Sequence, residues 1–168
     1  MNGIVHLEST PQILRALLSG ITEEDATWKP APDRWSVAEV LEHLSHVEGH
    51  CFRARIDLSM EKDGAAWESY DQKAYEAAGA YSGRTAEDSF DHFEEQREDN
   101  LDCLTSLEES AAARKGVHPE MGEITLAELV AQWAFHDLGH IRQIAELIRA
   151  RRYYAEMGPF RTQYEIHP

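Results

Sequence analysis

The sequence predicts an all-α protein: a four-helix bundle in a single domain over residues 1–168. Three observations carry this. Helix-start signatures recur along the chain, apolar residues follow them at helical spacing, and no useful length alternates with the period of two that marks a half-buried strand. No sheet is therefore expected.

Thr10-Pro11 puts a proline at a first helical position and opens a helix over roughly residues 10–20. The segment Trp28-Lys29-Pro30-Ala31-Pro32-Asp33-Arg34 is held out of helix by its two prolines. Ser36-Val37-Ala38-Glu39 is a capping box, with Trp35 and Val40 at the staple positions, and starts a second helix over about 36–60. Thr85-Ala86-Glu87-Asp88 opens a third, about 85–109, whose acidic first turn suits the helix dipole. Thr125-Leu126-Ala127-Glu128 repeats the capping box, with Ile124 and Leu129 as staple, and starts a fourth over about 125–152 that ends at Arg151-Arg152. The long connection at about 61–84 has room for a short helix between Glu68 and Ala78, and its length lets the chain cross over rather than return to its neighbour. The tail from Gly158-Pro159 to Pro168 reads as an extended segment packed on the outside.

Composition narrows the function. A chain of 168 residues buries roughly 70% of its unfolded surface, enough for a sizeable core. With 16 basic against 31 acidic side chains, the net charge of -15 repels a nucleic-acid backbone and an anionic membrane alike. Mean hydropathy is -0.53 and no long uncharged apolar run occurs, which excludes a transmembrane helix. Met1 to Glu8 has neither the basic nor the apolar region of a signal peptide. Cys51 and Cys103 are too few for a disulfide framework and read as reduced packing residues. The expectation is a soluble, acidic, cytoplasmic protein of a single domain.

Nine histidines make position decisive. The fourth helix carries an apolar stripe of Leu126, Leu129, Val130, Trp133, Ile144, Leu147 and Ile148, and His136 and His140 fall where aliphatic residues are missing from it. Four residues apart, both imidazoles project from one face, about 6 Å apart at Cβ. Two buried imidazoles need partners: a divalent metal satisfies both, and so do core carbonyls or carboxylates. On the second helix His43 lies beside Val40 and Val47, and is the best third ligand. His50 is the second choice, and His46 reads as a solvated surface residue, as do His6, His92, His118 and His167. Three neutral imidazoles without a fourth protein ligand make an open site of the catalytic kind. Zinc suits them best by abundance, with nickel, iron or manganese as alternatives.

His136-Asp137-Leu138-Gly139-His140 differs from the zincin H-E-x-x-H in its shorter acid, which weakens a protease reading. No Glu-x-x-His pair of a di-metal bundle occurs. Gly139, at a cost of about 1 kcal/mol relative to alanine, makes room for a substrate or packs closely against a neighbour. Gln143, one turn after His140 on the same side, reads equally as a residue that bonds a group behind the ligands and as a partly exposed polar side chain. Glu39 precedes His43 by one turn but is explained by its capping box, so no catalytic base is named. The run Glu94-Glu95-Gln96-Arg97-Glu98-Asp99 reads as a solvated helix face, and Trp28, Trp35 and Trp133 as staples and core.

Thr22-Glu23-Glu24-Asp25, Trp28-Lys29-Pro30, Trp35-Ser36 and Glu39-Val40-Leu41-Glu42-His43-Leu44 resemble the first conserved block of the DinB-like (DinB/YfiT) superfamily. Gly122-Glu123-Ile124-Thr125-Leu126 and the run His136 to Ile144 resemble its second. The match is poor only between about 60 and 110. The resemblance implies an up-down-down-up bundle with a metal on three histidines, here His43, His136 and His140, and members that often form homodimers. It also implies, for some members, thiol S-transfer with a low-molecular-weight thiol. The first expectation is accordingly a metal-dependent thiol S-transferase or detoxification enzyme acting on a small electrophile. A metal-dependent hydrolase and a non-enzymatic, stress-related metal-binding protein are the alternatives.

Overall fold

The computed structural model describes residues 1–81 and 83–168. Helix α1 spans Ile4–Leu18 and the short α2 Glu23–Thr27. Helix α3, Val37–Val47, runs through a π-helical segment, Glu48–Arg53, into α4, Ala54–Glu61. Strand β1 (Ala65–Ala66) and helix α5 (Gln72–Ala77) occupy the long connection, which leads to α6, Ala86–Ser106. Strands β2 (Lys115–His118) and β3 (Gly122–Thr125) then lead into α7, Leu126–Ile148. Both capping boxes form: Ser36 and Thr125 each accept from the third helical amide, while Glu39 and Glu128 reach back to the cap.

The long helices form a four-helix bundle, and the small sheet fixes their directions. β1 follows α4 and pairs parallel with β2, which follows α6; β2 pairs antiparallel with β3, which runs directly into α7. The C-terminal ends of α4 and α6 therefore meet at the end where α7 begins. With α1 returning into α3, the order is up, down, down, up. The sheet corrects the expectation of none: strands of two and four residues are too short to display alternation. Gly116 in β2 makes it possible, because a Cβ there would lie 1.9 Å from the Trp67 ring.

Four further expectations are corrected. The first helix starts at Ile4, so Pro11 lies inside it. An internal proline leaves the carbonyl four residues earlier without its helical donor. Here that carbonyl is Leu7's, and it accepts at 2.9 Å from Arg97. Thr10, read as a helix start, instead donates its hydroxyl to Asp137 at 2.8 Å.

Arg97 itself is fully buried rather than on a solvated face. Its guanidinium donates to Glu48 at 2.6 and 3.1 Å and to Asp137 at 2.7 and 3.2 Å. Asn100 and Trp133 also donate to Glu48. A single buried cation thus converts an acidic helix into one that faces the core. Burial pushes the Glu48 carboxyl up against the pull of Arg97, and burial also works against the Arg97 charge, which Glu48 and Asp137 nonetheless hold in place.

The tail continues as a π-helical segment, Arg149–Tyr153, and 3-10 turns over Tyr154–Gln163 instead of running extended. Gly158, at φ 54°, breaks these turns, and they resume after Pro159, whose ring is compatible with a first helical turn. His118, expected on the surface, is buried in the β2–β3 hairpin and accepts from the Glu120 amide at 3.2 Å.

The core falls into two apolar clusters, one around Phe52, Leu126 and Trp133, the other around Leu41, Leu44, Phe93 and Ile144. α7 contributes to the first through Ala134 and to the second from Ile144 onward, so His136, Asp137 and His140 fall in the gap between them. No helix of the described residues is long and apolar enough to cross a membrane.

Candidate metal centre

Helical phase points to His136, His140 and, ahead of His50, His43, and the fold brings those three together. The α3 capping box sets the register that buries His43, which is 2% exposed. His136 and His140 project from successive turns of α7. The Nε2 atom of His136 lies 3.1 Å from Nε2 of His43 and 3.2 Å from Nε2 of His140. Imidazole nitrogens at tetrahedral zinc, with Zn–N near 2.0–2.1 Å, sit about 3.3 Å apart. Two of the three pairs are close to that spacing, and the ligand atoms of all three histidines lie within 4.8 Å of one another, near enough to reach one ion.

The outer nitrogens decide which way the lone pairs point. The Gln143 amide oxygen lies 2.9 Å from His140 Nδ1, so that nitrogen carries the proton and Nε2 turns its lone pair inward. His43 Nδ1 is 3.2 Å from the Tyr81 hydroxyl, Tyr81 is 2.7 Å from the Tyr70 hydroxyl, and Tyr70 is 2.8 Å from His46 Nδ1. This chain is satisfied when His43 donates to Tyr81, Tyr81 to Tyr70 and Tyr70 to His46, an arrangement that leaves His43 Nε2 free to coordinate. His136 Nδ1 is buried with no hydrogen-bond partner among the described residues. Core histidines held by carbonyls or carboxylates would not be arranged so; three inward imidazoles facing only one another fit a divalent cation.

Burial, reinforced by the neighbouring imidazoles, pushes His43 down to about 2. Burial likewise takes His136 to about 3 and lowers His140. All three are neutral at pH 7, the protonation state that coordination requires.

His136 and His140 line a cavity of about 840 Å³ together with Gly139 and Phe135. A Cβ at Gly139 would meet nothing within 4 Å, so this glycine fronts open space and does not pack against a helix. Trp35 is more than a staple: its ring lies 5.0 Å from that of His43 and stacks 6.4 Å from that of His140, while its Nε1–H donates to Glu76. Glu39 stays with its cap and pairs with Lys29 at 2.6 Å.

Other sequence readings are resolved by position. His50, the second choice for third ligand, is exposed and stacks on His46. His46 is half-buried against Tyr70 and Tyr75, not a freely solvated residue. Asp137, the counterpart of the zincin acid, is spent on Arg97 and Thr10. Cys51 and Cys103 are free, and burial raises the Cys51 thiol, leaving it unreactive. Tyr81 and Tyr70 were missed: they reach the site from the long connection, where nothing in the sequence links them to His43.

The fold and this site define a class: a four-helix bundle with three convergent histidines opening on a cavity. Residues 6–144 match the profile of the DinB superfamily, and the chain belongs to that superfamily. It is 23% identical over 150 residues to "Putative metal-dependent hydrolase OB0782" of Oceanobacillus iheyensis, covering 88% of this chain and 85% of that protein. It is 25% identical over 146 residues to "Uncharacterized protein YuaE" of Bacillus subtilis, covering 77% and 87%. Among solved structures it resembles YfiT from Bacillus subtilis, described as "a probable metal-dependent hydrolase with an unusual four-helix bundle topology". The TM-score is 0.78 at 24% identity, over 88% of this chain and 84% of that one. A DinB-like protein from Bacillus cereus matches with a TM-score of 0.59 at 16% identity, over 86% and 85%.

Proposed function

We propose that this chain is a metal-dependent hydrolase of a small molecule, with His43, His136 and His140 holding a divalent ion. The observation that carries the reading is the convergence of three inward-facing Nε2 atoms, two of them on residues that line an open cavity. A structural ion would be closed off by a fourth protein ligand, whereas an open position is the mark of a catalytic one. When bound, the ion supplies Lewis-acid polarisation of the substrate and activation of water. The chain's own residues do the positioning: Gln143 and Tyr81 orient His140 and His43, Trp35 walls the imidazoles, and Gly139 leaves room beside them.

Zinc is the proposed ion, with nickel, iron or manganese able to take the same donors. The names of OB0782 and YfiT favour hydrolysis over the thiol S-transfer expected from the sequence. The neutral, buried ligands serve either chemistry.

The test is a panel of ester, amide and phosphoester substrates assayed with and without zinc, nickel, iron or manganese, and in parallel with electrophiles plus low-molecular-weight thiols. Turnover of a hydrolysable substrate that disappears in His140→Ala, with the variant still folded, supports the proposal. Turnover seen only when a thiol is added replaces it with S-transfer.

A further inference from the structure

The chain carries nearly twice as many acidic as basic residues, and its arginines are almost all engaged. Arg97 is locked in the core, Arg15, Arg53, Arg84, Arg149, Arg151 and Arg152 form ion pairs, Arg55 and Arg114 donate to backbone carbonyls, and Arg161 donates to Gly158. Among the described residues, Arg34 and Arg142 are the arginines without an ion pair, a side-chain hydrogen bond or a ring contact. Both line the cavity that holds His136 and His140.

Their placement is specific. Arg34 immediately precedes Trp35, the ring stacked beside His140, and Arg142 lies one turn after Gly139, on the face of α7 that lines the cavity. Of the acids that line the same cavity, Glu146 accepts from Arg149 and from the His167 amide, while Glu165 is exposed to solvent. Two solvent-exposed guanidiniums without an ion pair therefore line this cavity, in a protein with a net charge of -15. A guanidinium presents a planar fork of donors that matches a carboxylate or phosphoryl group, and such charge-assisted bonds are roughly twice as strong as neutral ones.

We infer that Arg34 and Arg142 form an anion subsite, so that the substrate carries a carboxylate or phosphoryl group held there while its reacting bond faces His136 and His140. The inference rests on the proposed metal-dependent reading for the second half of that statement, but the anion subsite stands on the arginines alone. It names what sequence charge obscures: an acidic protein whose reaction cavity selects an anion.

The experiment separates the two. Binding of succinate, methylphosphonate and the neutral succinamide is measured by calorimetry at low salt on the chelator-treated protein, on Arg34→Gln/Arg142→Gln, and on His136→Ala. Metal content after zinc loading is measured on each. The expected result is binding of at least one anion but not succinamide, weakened about 10-fold or more in the double arginine variant and by added salt. Zinc uptake should be unchanged in that variant. Succinate and methylphosphonate compared with each other distinguish a carboxylate from a phosphoryl preference. Absence of anion binding in the parent, or equal binding in the double variant, overturns the inference. Loss of zinc uptake in the parent would instead remove the metal reading and leave the anion result to stand by itself.

Discussion

Replacing Arg97 with methionine should be among the most damaging single changes in this protein. The substitution keeps an unbranched side chain of similar length but removes the only cation touching Glu48 and Asp137 among the described residues. Both carboxylates are at most 1% exposed, so neither can recover solvent. Removing one partner of a buried ion pair costs about 3–5 kcal/mol. The Leu7 carbonyl, whose helical donor is already missing at Pro11, would also lose its bond, at about 1–3 kcal/mol. A working figure of about 4 kcal/mol is a large part of the roughly 5–15 kcal/mol that holds a domain folded. In a urea titration with a slope near 2 kcal/mol/M, it lowers the midpoint by about 2 M.

The loss should also depend on pH. Burial already raises the Glu48 carboxyl in the parent, and without Arg97 it rises further. A carboxyl raised in the folded state favours folding when protonated, below its unfolded value of about 4.3, and that contribution is lost as pH climbs through the folded value. The gap between parent and variant is therefore widest at pH 7.5 and narrows towards pH 5. A loss below about 1 kcal/mol at pH 7.5, or one that does not change with pH, would refute the reading of Arg97 as the counter-ion of the core.

Other outcomes follow from the site. Gln143→Leu frees the His140 ring and should weaken zinc binding about 10–100-fold in a chelator competition, with the circular dichroism spectrum unchanged. In metal-free protein, His43, His136 and His140 have folded values below their unfolded value of about 6.5. Their contribution is present above that pH and lost as pH falls, by about 1 kcal/mol for each of His43 and His136 between pH 6 and 5, with His140 acting in the same direction; equilibrium unfolding of the parent against a triple His→Gln variant measures it. Gly139→Ala should raise stability by about 0.5–1 kcal/mol in a thermal melt, since nothing crowds its Cβ, whereas Gly139→Trp should block the cavity and stop turnover without lowering zinc content.

The parts of this structure legible in the sequence are those written in local grammar. The capping boxes at Ser36 and Thr125 place two helix starts to the residue, and helical phase alone puts His43, His136 and His140 toward a common interior. The remainder depends on residues far apart in the chain. Pro11 looks like a helix start until Arg97, 90 positions beyond Leu7, supplies the donor that its ring removes. Arg97 looks solvated because its two counter-ions sit on α3's π-helical extension and on α7. Tyr81 orients His43 from a connection with no periodicity of its own, and the strands are too short to alternate. Local signals locate elements; pairing between elements decides which polar residues they bury.

The most direct test of the central claim is metal content by mass spectrometry on tag-free protein as purified, with zinc uptake after chelation, compared with His136→Ala. The account predicts close to one divalent ion per chain in the parent, and its loss in a variant that stays folded because His136 makes no bond to the Arg97 network. Little metal in either protein, with no uptake of zinc or nickel, would contradict the assignment of His43, His136 and His140 as ligands and the hydrolase reading built on it.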